Sequence, residues 1–477
     1  MRLRALCGSL ICLLPLPALA ADGWYSLYLD AVRDNPTLKV AQAGVALRRE
    51  ESNLAQAKIL PNIALSGSSN QAGLERLTPQ PRGGPKQDSL SYRSRTLSLT
   101  FRQPLYHPAA AAEMDQTERM LESAEQDAQA AGQEMIIKLV SAYCEVLFAQ
   151  DQLRNAASQK RTIMLQLQAF IRGLAAGTAT RTDIDEAQAK LDVLEATTLE
   201  IVDQGEESLQ QLAALVGRPV TEVRRLDIAR MELGLPAPHS FENWLALVEG
   251  RNAELSSLRQ QLASAEAEVE KARAGHYPSV DLVASAGVST NDNLSQLNNN
   301  GNMEYKTSSI GVQFNLPLFA GGSVDADTRK SQAKVEQLKN KLEETRRRLL
   351  TQLQKTHGEV PHHLAKMAAL EKAERSGEKL VVSMQKGVQA GTRSLVDVLQ
   401  AEQQMFATKR DLAEARYKYI IARIKLQSMA GLVDAQVMAG MEQWLESDTT
   451  TQVSQKAADV VVMSPGAKTP QESRGVP

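Results

Sequence analysis

Two short stretches place acids and a cation where helices must reverse. Gly177-Thr178 and Gly391-Thr392 are each followed by a hydroxyl-x-x-acid pattern, Thr180-x-x-Asp183 and Ser394-x-x-Asp397. Glycine just past a helix supplies a left-handed turn. A hydroxyl with an acid three residues later caps the next helix. Asp183 and Asp397 therefore suit helix starts, where the dipole also favours an anion. Arg393 does not, since a cation at a helix start is mildly unfavourable. That mismatch points to a specific acceptor, most simply Asp183 or Thr182 on a neighbouring hairpin. The chemistry on offer is an ion-pair latch, and capping is the competing role of both aspartates.

Other reactive residues carry less. His357, His362 and His363 are spaced five and six apart, whereas ligands on one helix face need three or four, so no metal site is expected there. Cys144 sits with Ile137, Val140 and Leu147 at heptad-like steps and reads as a small buried hydrophobe. A nucleophile beside a base, a phosphate loop and paired carboxylates are all missing from the sequence, so neither an enzyme nor a cofactor is expected.

The elements that would hold the two turns occur twice. Asn35-Pro36-Thr37-Leu38 reappears as Asn252-Ala253-Glu254-Leu255, and each helical run ends at a proline, Pro61 and Pro278, at a shift of 217 (252 − 35 and 278 − 61). Phe101-Arg102-Gln103-Pro104-Leu105-Tyr106 parallels Phe314-Asn315-Leu316-Pro317-Leu318-Phe319. The run Gly173 to Thr178 parallels Gly387 to Thr392, and Leu212 to Gly217 parallels Leu426 to Gly431, both shifted by 214 (387 − 173 and 426 − 212). Each half reads helix, strand, loop, strand, long helix, turn, helix.

The strands show alternation. Ile310, Val312, Phe314 and Leu316 interleave with Gly311, Gln313 and Asn315; Leu97, Leu99 and Phe101 interleave with Ser98, Thr100 and Arg102. Ile63, Leu65, Val280 and Leu282 mark the other two strands, and Gln71 to Ser91 and Asn291 to Thr307 read as loops. One apolar and one polar face suits a membrane barrel. Four strands cannot close one, but a cyclic homotrimer supplies twelve.

The helices are long: Ala109 to Gly173 spans about 98 Å and Ser323 to Gln389 about 100 Å, against roughly 52 Å for Trp24 to Lys58 and roughly 55 Å for Thr180 to Val216. Val398, Met405, Leu412 and Tyr419, with Leu399, Phe406, Ala413 and Ile420, form two adjacent heptad tracks. Ile184, Ala187, Leu191, Leu194 and Ile201 make the matching stripe of the first half. Two tracks serve two neighbours, as a closed ring of coiled-coil helices requires. Pro361 is expected to kink or break its helix.

The 54 basic and 56 acidic residues nearly balance, which gives no reason to expect nucleic acid. Aromatic residues make up only 4%, low for one thick core. Arg2 and Arg4, the apolar run Leu6 to Leu16 and Ala18-Leu19-Ala20 read as a signal peptide over 1–20. No Cys follows that site, so no lipid anchor is expected. The expected division is then a first repeat over 21–217, an equatorial linker over 218–240, a second repeat over 241–431, and an equatorial segment with a disordered tail over 432–477.

On these landmarks, and most specifically on Ala390-Gly391-Thr392-Arg393-Ser394-Leu395-Val396-Asp397-Val398-Leu399, the sequence resembles the TolC family of outer-membrane efflux and secretion proteins. The resemblance implies a trimeric channel: a twelve-stranded outer-membrane β-barrel continued by a periplasmic α-helical barrel. It also implies a periplasmic adaptor and an inner-membrane transporter, ABC-type or proton-driven, as partners. Arg393, Asp397, Thr182 and Asp183 match residues of the family's closed periplasmic aperture. The turns at Gly173, Gly177, Thr178, Gly387, Gly391 and Thr392 match the tips that meet the adaptor. The family's best-known member has a tyrosine at the place of Val388 and a second aspartate at that of Gln400; the first departure removes one hydrogen-bonding lock and the second one ring of negative charge.

Type I protein secretion is the favoured reading, with a small-molecule or drug efflux duct as the alternative. A periplasmic coiled-coil adaptor or scaffold is the competitor of another class, but it would lack the duplicated strand pairs.

Overall fold

The computed structural model describes residues 21–78, 86–292 and 303–446. The expected signal segment and the tail from Ser447 lie outside the described residues. Two compact units emerge. One holds Thr37–Ala131 and Leu245–Gln352; the other holds Gly132–Trp244 with the chain before Thr37 and after Gln352.

The first unit contains the sheet. Strands β1 (Asn62–Thr78), β2 (Lys86–Tyr106), β3 (Ser279–Asp292) and β4 (Met303–Asn315) are antiparallel and follow one another in chain order. The apolar residues fall into register across all four, with Ile63, Phe101, Ala284 and Ile310 side by side. One residue along, on the opposite face, Ala64, Thr100, Ser285 and Ser309 do the same. Hydroxyls bridge that polar face, Ser66 to Ser98 at 2.7 Å and Ser285 to Ser309 at 2.9 Å. The expected loops are shorter than the composition suggested. Pairing continues to Thr78↔Lys86 in one hairpin and Asn291↔Met303 in the other. Ladder bonds come from the backbone, so Ser-, Asn- and Arg-rich stretches extend a strand where they signalled a loop.

The expected helix from Trp24 to Lys58 is two helices, α1 (Trp24–Asp34) and α2 (Pro36–Ala57). Proline at the first helical position pushes the preceding residue out of the α region, and Asn35 sits at φ −63, ψ 120. The second half breaks at the same place without a proline, between α5 (Phe241–Arg251) and α6 (Ala253–Arg273). There the Asn252 side chain accepts the Leu255 N–H as a cap at 3.1 Å.

Helices α3 (Pro108–Ala175) and α7 (Ser323–Gln389) have 68 and 67 residues; α4 (Arg181–Val216) and α8 (Leu395–Met429) have 36 and 35. Against expectation, α7 runs through Pro361 without a break. Pro361 is exposed, while Leu353, Thr356 and Val360 are fully buried on the other side of the helix. Burial of that face therefore outweighs the one backbone hydrogen bond that the proline cannot make.

In the second unit, Ala156 and Ile163 of α3 pack with Leu191, Leu194 and Ile201 of α4 and Leu399 of α8. The connector after Gly217 meets the chain after Gly431, which includes α9 (Ala435–Glu442). The Asp227 N–H donates to the Trp444 carbonyl at 2.7 Å and the Glu446 N–H to the Arg225 carbonyl at 2.9 Å. Trp24 stacks on Tyr143 at 3.9 Å, and the Tyr143 hydroxyl donates to the carbonyl of Arg224 at 2.7 Å. Arg218 clamps Asp22 at 2.6 Å and Asp30 at 2.7 Å.

Candidate functional site

The two turns that close the α3–α4 and α7–α8 hairpins are copies of each other. At the first, the Thr178 N–H donates to the Gly173 carbonyl at 2.8 Å and the Gly177 N–H to that of Leu174 at 3.1 Å. At the second, Thr392 donates to Gly387 at 2.9 Å and Gly391 to Val388 at 3.0 Å. This pair of bonds satisfies the last carbonyls of each long helix and requires a left-handed residue in the middle. Gly177 and Gly391 supply it at φ 72 and 73. The hydroxyls of Thr178 and Thr392 add a bond to the same glycine carbonyls, at 3.2 and 3.1 Å.

A capping box follows each turn. Asp183 accepts from the Thr180 N–H at 2.7 Å and returns its own N–H to the Thr180 hydroxyl at 3.2 Å. Asp397 accepts from the Ser394 N–H at 3.0 Å and donates its N–H to the Ser394 hydroxyl at 3.1 Å. These bonds, the backbone one foremost, hold the Asp397 carboxyl below the usual carboxylate range, and nearby Arg393 adds to the effect.

Two positions separate the turns chemically, Ala175 against Gln389 inside the turn and the residue just before the cap. Between turn and cap stands Ala179 in the first hairpin and Arg393 in the second, each donating its N–H to the glycine carbonyl at 3.3 Å. Arg393 is exposed, and among the described residues its guanidinium forms no hydrogen bond or ion pair within the chain, including with Thr182 and Asp183. Both of those lie at the surface end of α4, Thr182 exposed and Asp183 half-buried.

Sequence reasoning missed a buried acid further along the second hairpin. Glu402 of α8 is only 6% exposed. It accepts from the Gln166 amide of α3 at 2.6 Å and from Gln385 of α7 at 3.4 Å. Burial raises its carboxyl pKa, while the two amides act the other way. The signal was present, for Glu402 lies on the apolar track between Leu399 and Phe406. The histidines gather differently: His357 meets the edge of Phe241 at 5.6 Å, and the His362 and His363 rings lie 5.5 Å apart.

A sheet with one apolar and one polar face, carried by duplicated long-helix hairpins, defines an outer-membrane channel protein. The chain belongs to the outer membrane efflux protein family, whose model matches residues 27–218 and 244–432. The two matched segments begin 217 apart (244 − 27) and end 214 apart (432 − 218), the same shifts as the internal repeat. Among relatives, the alkaline protease secretion protein AprF of Pseudomonas aeruginosa is 30% identical over 85% of this chain and 84% of its own length. The proteases secretion protein PrtF of Dickeya chrysanthemi is 29% identical, covering 87% and 90%. The outer membrane protein TolC of Escherichia coli is 24% identical, covering 90% and 86%. Of solved structures, the outer membrane protein VceC of Vibrio cholerae shares the fold at a TM-score of 0.72, with 21% identity over 86% of this chain and 96% of VceC.

Proposed function

We propose that three copies of this chain close a twelve-stranded barrel in the outer membrane, prolonged by their helices into a duct across the periplasm, and that the duct exports protein by type I secretion. The observation that carries the reading is the sheet: four strands whose apolar and polar faces stay in register from edge to edge, with no further strand on either outer edge among the described residues. Water-filled barrels need such faces, and an open edge cannot persist in lipid. Protein as cargo is supported by the secretion proteins AprF and PrtF, to which the chain is similar over most of its length.

In this reading the two hairpin turns form the periplasmic tip. Gly173, Gly177, Thr178, Gly387, Gly391 and Thr392 shape the surface that docks a periplasmic adaptor, which links the duct to an inner-membrane ABC or proton-driven transporter. Arg393 reaches Asp183 and Thr182 of an adjacent hairpin and holds the aperture shut, and Asp397 rings the entrance with negative charge. The connector and the segment around α9 form a girdle midway. The repeats over 21–217 and 241–431 are the functional halves.

Small-molecule efflux is the second reading. It is favoured by a relative named for pyoverdine export, OpmQ of Pseudomonas aeruginosa, 24% identical over 85% of this chain. Deleting the gene and restoring it separates the two. Loss and recovery of specific proteins in the culture medium, with dye and detergent tolerance unchanged, supports secretion; the opposite pattern supports efflux. A carbonate-extractable protein that never forms a heat-dissociable outer-membrane trimer overturns both.

A further inference from the structure

Polar contacts tie α3 of the first helical hairpin to α8 of the second. The Tyr417 hydroxyl donates to Asp151 at 2.7 Å, the Asn155 amide to the Phe406 carbonyl at 3.0 Å, and the Gln166 amide to Glu402 at 2.6 Å. The last of these lies nearest the turns. Glu402 stands seven residues into α8 (402 − 395), about 10 Å from its start. Water is kept from it: Glu402 is 6% and Gln166 8% exposed, and Gln166 Oε1 is buried with no donor among the described residues. Two neutral amides are poor company for a buried charge, so the site favours the protonated acid.

The duplication shows that a helical hairpin does not need an acid there. At the shift of 214 (387 − 173), Glu402 corresponds to Gln188, Gln385 to Ile171 and Gln166 to Leu380. All three equivalents are exposed, and the Gln188 amide donates along its own helix to Asp192 at 2.7 Å. Charges on the surrounding helices do not account for the acid either. Lys160 of α3 pairs with Glu195 of α4, Lys190 of α4 with Glu186, and Lys409 of α8 with Glu374 and Glu378 of α7. Arg172 of α3 and Lys386 of α7 are exposed. Burial raises the Glu402 carboxyl pKa, and what opposes it is the pair of amides, Gln166 and Gln385.

Resting on the tip reading above, we infer that Glu402 is a proton-operated joint between the two helical hairpins, holding α8 to α3 while protonated and releasing it when ionised. The joined state buries the carboxyl, and parting the hairpins admits water to it. The proton therefore binds the joined state more tightly, and a ligand that prefers one state draws the population toward it. The bias is full below the ordinary carboxylate value near 4.5 and is lost as pH rises through the raised value of the joined state. At the turn itself Asp397, held below the usual range, stays ionised across that window and adds no response of its own. In acid the joint is tight; near neutrality it is loosened, and an adaptor has less to overcome.

Spin labels on Ala176→Cys and Ala390→Cys, one in each turn, read the separation of the two hairpins in trimers diluted with unlabelled copies. The native Cys144 does not interfere, since it is buried and burial pushes its thiol pKa up. Between pH 4.5 and 8 the wild-type separation is expected to lengthen and spread while closed-state conductance in bilayers rises. Glu402→Gln is expected to hold the short separation and the low conductance at every pH. Glu402→Met, apolar and of similar length, gives the same expectation should the amide variant fail to assemble. A wild-type separation that ignores pH overturns the joint, as does a pH response that survives in both Glu402 variants. A separation that follows pH and is flattened by Glu402→Gln, with conductance unchanged throughout, supports the joint and overturns the reading of this tip as the closed aperture.

Discussion

The aliphatic stem of Arg393 lies across Gly387: a Cβ placed on Gly387 would meet Arg393 Cγ at 2.8 Å and Cβ at 3.2 Å. The repeat preserves the relationship, with Ala179 Cβ 3.0 Å from the same point on Gly173. Gly387 is helical, so it is required for the close approach and not for its backbone angles. Gly387→Ala should favour the helix by up to about 1 kcal/mol while displacing the Arg393 stem. If Arg393 holds the aperture, closed-state conductance in bilayers rises in Gly387→Ala as it does in Arg393→Ser, with trimer assembly intact. Wild-type conductance in both variants would remove Arg393 from the closure.

Asp183 is a cap before it is anything else, so removing it outright confuses two roles. Asp183→Asn keeps an acceptor for the Thr180 N–H and discards the charge. Thr180→Ala keeps the charge and removes the hydroxyl, at about 0.5–2 kcal/mol of helix stability. Leak through the closed tip in Asp183→Asn but not in Thr180→Ala assigns Asp183 to the ion pair. The reverse pattern leaves it as helix-start chemistry alone.

On the sheet, Phe314→Arg and Leu99→Arg should each disfavour assembly into the membrane by about 2–4 kcal/mol near the midplane. Gln313→Arg, on the hydroxyl-lined face, should be tolerated. The yield of heat-dissociable trimer in outer-membrane fractions measures this, and better tolerance of the Phe314 and Leu99 variants would reverse the assignment of faces.

The repeat, the strand faces and the hairpin turns were legible because each rests on local chemistry. Alternation fixes a face, a glycine fixes a left-handed turn, and Thr180 or Ser394 with an acid three residues on fixes a cap. What escaped depended on partners distant in sequence. The strands ran past Gln71 and Asn291 because a facing backbone was there to pair with. Asn252 broke its helix without a proline through a side-chain cap whose pattern is weak. Arg393 was legible as an anomaly, and among the described residues its guanidinium has no hydrogen bond or ion pair within the chain.

Pro361 offers a direct measure of how far packing overrides propensity. Pro361→Ala restores one helical N–H to an exposed position beside the buried Val360 and Thr356. The substitution should stabilise, by at most about 3 kcal/mol, and raise the midpoint of thermal unfolding in detergent. A lowered midpoint would mean that α7 depends on the distortion the proline introduces.

Glu402 makes stability depend on pH in a definite direction. Its folded pKa is raised, chiefly by burial, above the ordinary value near 4.5 that holds in the unfolded chain. Its polar neighbours on the other helices, Gln166 of α3 and Gln385 of α7, are uncharged. The nearest ion pairs on α8 involve Lys409 with Glu374 and Glu378, two turns away. Between the unfolded and folded pKa the native protein keeps a proton that the unfolded chain releases. Stability is therefore full below the unfolded value and falls as pH rises through that window. The proton also has a use, since Gln166 Oε1 is buried without a donor and a protonated Glu402 can supply one if the amide turns over. Glu402→Gln keeps the neutral form at every pH and should flatten this part of the profile, standing above the wild type near neutrality. Glu402→Ala strands the Gln166 amide and should be less stable than Glu402→Gln by about 1–3 kcal/mol. Thermal unfolding from pH 4.5 to 8 checks the whole chain of reasoning: parallel curves for the wild type and Glu402→Gln would show that the buried carboxyl is already ionised and matched by its two amides.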